Sequence, residues 1–129
     1  LYKPEAPVFK AVAANPAFVT LPDSNTLYPF GVGRSPAKQQ NIREWFGKNM
    51  AIVLGGNDTG PRTKPLSNGP YARAQGPNCL SRGKLLYEKA NSSAKDMDTR
   101  FSWELVIVPG VGHDNYNLAE PSSTYLFGE

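Results

Sequence analysis

Apolar residues fall in short blocks separated by stretches rich in glycine and proline, and the period inside each block changes along the chain. "VFKAVA" reads as a strand from Val8 to Ala13, closed by the turn-forming Asn15-Pro16. Residues 19–35 carry Pro22, Asp23, Asn25, Pro29, Gly31 and Gly33 and read as loop. From Ser35 to Asn49 the apolar positions Ile42, Trp45 and Phe46 recur at helical spacing; Ser35 is a suitable N-cap and Pro36 a suitable first residue. "MAIVLGG", 50–56, is an unbroken apolar run bounded by turn signals, the pattern of a strand buried on both faces of a parallel sheet.

Loop chemistry returns over 57–70. Residues 71–95 are helical with a break at Gly76-Pro77. Asn78 caps the second part, and Leu80, Gly83, Leu86, Tyr87, Ala90 and Ala94 share one face. "FSWELVIVPG", 101–110, is a third strand, and 113–129 contains a final helix weakened by Pro121. Strands alternating with helices predict an α/β protein with a parallel sheet and right-handed crossovers. Trp45, Phe46, Tyr87, Phe101 and Trp103 are expected in the core, while Tyr28, Phe30 and Tyr116 stand in or near loops that line a pocket. A sheet of three parallel strands leaves apolar faces and an edge to be covered, so completion by another chain or segment is expected.

Composition narrows the classes. The chain is 40% hydrophobic with a mean hydropathy of -0.44, which suits a folded domain. Its apolar runs are too short to span a bilayer. A net charge of +3 comes from lysines and arginines scattered without a dense basic block, an argument against a nucleic-acid surface. The single cysteine, Cys79, reads as a small buried hydrophobe, the alternative being a bridge to another chain. One histidine and one cysteine give no zinc motif, and no glycine-rich phosphate loop follows a strand, so neither metal nor cofactor is expected. The chain opens on Leu1 rather than Met, as expected of a processed product or a piece of something longer.

Ligands of open parallel sheets bind beyond the carboxyl ends of the strands. Two loops leave neighbouring predicted strands at that end: "LGGNDTGP" with Asp58, and "VPGVGHDN" with His113. Adjacent strands lie about 4.8 Å apart, so the two side chains are within reach of each other. An aspartate bonded to a histidine fixes the imidazole tautomer and prepares a general base. Asp114 is the rival acid, but its place before the last helix suits it to capping; Asn57-Asp58-Thr59 is also a turn motif in its own right. A lone loop histidine also has the plainer use of capping a helix or bonding a carbonyl. Asn91-Ser92-Ser93 and Asn57-Asp58-Thr59 match the N-glycosylation pattern, Asn91 being the more plausible acceptor.

"LGGNDTGP", "QGPNCLSRGKLLYEKA" and "VPGVGHDNYNLAE…YLFG", with "FKAVAANPAF" before them, resemble the C-terminal half of a group of secreted or periplasmic α/β-hydrolases, from about residue 8 to 128. The resemblance implies that residues 1–129 are the C-terminal portion of one hydrolase domain, with 19–35 and 57–70 as pocket loops. It implies Asp58 as triad acid, His113 as triad base, a small ester-like substrate and a secreted or periplasmic location. The family's nucleophile is a serine in Gly-x-Ser-x-Gly ahead of the first strand seen here. This sequence has no such motif; "GVGRS", 31–35, only imitates it and follows the strand. A second polypeptide carrying the N-terminal half with the nucleophile is therefore expected. The alternative is a non-catalytic binding or structural subunit with a degenerate hydrolase fold.

Overall fold

The computed structural model describes residues 9–60 and 66–128. In order, these form β1 (Ala11–Ala14), α1 (Gln39–Gly47), β2 (Met50–Gly55), α2 (Pro70–Arg73), α3 (Cys79–Asp96), β3 (Trp103–Val108) and α4 (Asn115–Phe127). The strands make one parallel sheet in the order β1-β2-β3, with Ala11 opposite Met50 and Met50 opposite Trp103. The expected α/β architecture is present. Within the strand expected from Val8, Val8 itself lies outside the described residues, as do 61–65 of the loop 57–70.

β2 explains the layering. Every one of its residues is buried. Successive side chains of a strand point to opposite faces. Met50, Ile52 and Leu54 therefore join the larger core with Ile42, Trp45 and Phe46 of α1, Leu86, Ala90 and Ala94 of α3, and Trp103. Ala51 and Val53 face the other way, against Leu118 and Tyr125 of α4 with Val12, Val106 and Val108. Trp45, Phe46 and Trp103 meet ring to ring, with Tyr87 and Phe101 at their margin, which is the aromatic core expected.

Helix ends follow local hydrogen bonding, and one departs from expectation. α1 begins at Gln39, not at Ser35-Pro36. The Ser35 hydroxyl donates to the Val32 carbonyl at 2.6 Å and accepts from the Ala37 amide at 3.3 Å, a local turn that competes with helix. The helix starts where Asn41 Oδ1 can accept from the Lys38 amide, at 2.8 Å. α3 is capped as expected: Ser81 N donates to Asn78 Oδ1 at 2.8 Å and Asn78 N to Ser81 Oγ at 3.2 Å. α4 contains Pro121 without ending there. No helix among the described residues is long and apolar enough to cross a membrane.

α3 lies close on β2 because residue 83 is glycine. A Cβ there would fall 2.4 Å from Cδ2 and 2.8 Å from Cδ1 of the fully buried Leu54 side chain. Gly83→Val should destabilise the fold by about 1–3 kcal/mol, the usual cost of overpacking, seen as a lower urea midpoint at unchanged slope.

Candidate functional site

The carboxyl ends of β2 and β3 are stitched into one surface by their main chains. Gly56 N donates to Val108 O at 2.8 Å and Asn57 N to Val111 O at 2.8 Å. This approach requires a bare α-carbon at Gly55, where a Cβ would lie 2.4 Å from the carbonyl oxygens of both Val111 and Gly112. On the other flank Asn15 ends β1 with φ +40 and turns its side chain so that Oδ1 accepts from Gly55 N at 3.1 Å. Asp58 then returns its amide to Gly55 O at 3.1 Å, which seats its side chain beside the second loop.

The two residues singled out in the sequence meet there. Asp58 Oδ2 lies 2.8 Å from His113 Nδ1. A carboxylate only accepts, so Nδ1 carries the hydrogen and Nε2 is the basic nitrogen. Asp58 is 3% exposed while the His113 side chain is 34% exposed, so the acid is held inside and the imidazole faces out. Asp114 is not the partner of His113: its Oδ1 accepts from Tyr116 N and Asn117 N at 3.0 and 3.2 Å, capping α4. Cys79, the first residue of α3, is buried beside the pair. One ligand atom from each of Asp58, Cys79 and His113 lies within 4.8 Å of the others.

Two buried polar residues hold the surrounding loops, and neither was singled out in the sequence. Arg82 is 1% exposed and donates to the carbonyls of Ala17 after β1, Ser67 after β2 and Gly76 before α3. Gln75 accepts from Val19 N at 2.9 Å and donates to Val19 O at 2.7 Å, and to Phe30 O at 3.4 Å. Helical periodicity placed both on helical segments, but an arginine or glutamine on a helix reads as solvated unless its buried carbonyl partners are known.

Other candidates stand apart. "GVGRS" is folded within the loop 19–35, where Leu27 pairs with Gly33, and forms no strand-to-helix turn. Tyr28 borders a cleft with Val32, Ile42 and Trp45, and Phe30 one with Leu21 and Tyr71. Tyr116 is 86% exposed on α4 and lines neither. Asn91 is partly buried within α3, so its acceptor pattern does not sit in the surface loop that the pattern is read for.

The three parallel strands with their flanking helices form part of an α/β-hydrolase fold. Two solved structures carry the comparison. Poly(aspartic acid) hydrolase-1 from Sphingomonas sp. KT-1 superposes with a TM-score of 0.91 at 30% identity over 96% of this chain and 47% of that one. LpqC, a poly(3-hydroxybutyrate) depolymerase from Bordetella parapertussis, superposes with a TM-score of 0.88 at 30% identity over 98% and 43%. The chain spans less than half the length of either structure. No family model and no curated protein matches the sequence.

Two outcomes follow from this geometry. Gly55→Ala should cost about 2 kcal/mol or more, because the atoms it meets are backbone, and should abolish the downfield Nδ1 proton resonance of His113. In the loop 19–35, Asp23 accepts from Thr26 Oγ1 at 2.6 Å and from Asn25 N at 2.9 Å, and these bonds hold its carboxyl below its ordinary 3.8. The stabilisation is complete above pH 3.8 and is lost as pH falls through the depressed value. The protection factors of residues 21–31, with the intrinsic pH dependence of amide exchange divided out, should therefore fall only below pH 3.8, and Asp23→Asn should flatten the response.

Proposed function

We propose that this chain supplies the acid and base of a serine hydrolase whose nucleophile lies on another chain or segment. The carrying observation is the 2.8 Å contact between Asp58 Oδ2 and His113 Nδ1 at the carboxyl ends of adjacent parallel strands. Asp58 then orients His113 and stabilises its imidazolium. His113 removes the serine proton as the hydroxyl attacks an ester-like carbonyl, returns it to the leaving group, and repeats the cycle with water.

Support for a missing half comes from two sides. The sequence lacks Gly-x-Ser-x-Gly, and among the described residues no strand pairs with the outer edge of β1. The reading makes this chain the C-terminal portion of the domain, with the nucleophile ahead of β1. Both structural neighbours are named for cleaving acyl polymers, which supports a carbonyl substrate presented on an extended chain. Loops 19–35 and 57–70 would border that substrate.

The test is made on the protein as purified. Mass spectrometry should show a Gly-x-Ser-x-Gly sequence, either on a co-purifying chain or continuous with this one, and a fluorophosphonate should label its serine. His113→Ala should lower kcat on the order of 10⁴-fold with the fold intact. A homogeneous 14.1 kDa species inert to the probe, or near-normal turnover by that variant, refutes the reading.

A further inference from the structure

We propose that Asp58, Cys79 and His113 form a three-ligand site for a borderline or soft divalent cation such as zinc or cadmium. The three come from three elements: the loop after β2, the first position of α3, and the loop after β3. One ligand atom of each lies within 4.8 Å of the other two. A tetrahedral cation with bonds of about 2.0–2.3 Å holds its ligands about 3.4–3.8 Å apart, so closure asks for movements of no more than about 1.5 Å. A carboxylate oxygen, an imidazole nitrogen and a thiolate sulfur are together a set that discriminates for zinc-like ions and against magnesium or calcium, which take oxygen ligands.

Burial and charge favour the ion. Asp58 and Cys79 are 3% and 1% exposed, while the His113 side chain is open at 34% and gives a path in. Burying charge is costly unless it is compensated. A dication with one carboxylate and one thiolate is a neutral cluster. Balance is simple: the sulfur–metal bond forms as the thiol proton leaves to solvent, the carboxylate coordinates as an anion, and the imidazole coordinates through one nitrogen with its hydrogen on the other. Three protein ligands leave a fourth position for water. Coordination by both Asp58 and His113 replaces the hydrogen bond between them, so the ion and the Asp–His pair exclude each other. Metal binding itself does not depend on the proposed hydrolase function; only its inhibitory consequence does.

Cadmium titration of the full chain tests the site, read by thiolate-to-metal absorption in the ultraviolet and by calorimetry. One ion per chain is expected, with the absorption absent in Cys79→Ala and the Kd raised at least about tenfold in His113→Ala, the lower end of what losing even an outer-shell group costs. His113→Ala alters an exposed side chain, so circular dichroism should show its fold retained. Absence of the absorption in the wild type, or a Kd unchanged in both His113→Ala and Asp58→Asn, overturns the proposal, the second result meaning that the cysteine acts alone. No turnover enters the measurement, so its failure is distinct from failure of the hydrolase reading.

Discussion

The close approach of two main chains at Gly55 is the constraint on which the site depends. Parallel strands bring their carboxyl ends together only at the sheet spacing; the loops beyond them usually diverge. Here the loop after β3 folds back over the end of β2, so that the carbonyls of Val111 and Gly112 occupy the space a side chain at residue 55 would take. The amides of Gly56 and Asn57 then bond carbonyls of the β3 side, and the sheet ladder is in effect extended past the strands. Asp58 and His113 are consequently positioned by backbone, which is stiffer than any arrangement of side chains alone.

Around this seam, buried polar groups take the place of regular secondary structure. The described parts of the long connections after β1 and β2 hold little regular secondary structure, and their carbonyls would be buried without partners if nothing reached them. Arg82 of α3 reaches carbonyls in both connections, and Gln75, in the turn after α2, holds Val19 and Phe30 of the first. A guanidinium with its five donors suits this task, since it joins carbonyls from three directions at once. The cost of burying it is offset only while those partners stay in place, so loop positions and the helix register are coupled.

This division explains what was legible in the sequence. β2 announced itself because burial on both faces leaves an unbroken apolar run, and α3 because Asn78 caps a clean helical period. The pairing of Asp58 with His113 followed from strand adjacency, a property of topology that alternating elements already imply. The start of α1 was misplaced because Ser35-Pro36 has the composition of a helix start, whereas its hydroxyl closes a local turn. Arg82, Gln75 and the proximity of Cys79 were not legible. Their roles are set by distances between segments far apart in the chain, and nothing in residue type or spacing encodes those distances.

The burial of Asp58, His113 and Cys79 carries the last step. Asp58 is closed off on the side of β2 and α3, where Leu80 N donates to its main-chain oxygen at 3.4 Å, and His113 stands at the surface. An orienting acid needs fixed geometry and gains from a low dielectric around its hydrogen bond, whereas a base must meet a substrate. The same gradient from inside to outside brings a buried sulfur beside a buried carboxylate under an exposed imidazole. Proton relay and metal capture make similar demands of such a corner: buried acidic groups and one nitrogen open to approach. Under the two proposals above, a proton or a cation between His113 and Asp58 would decide which use this corner serves.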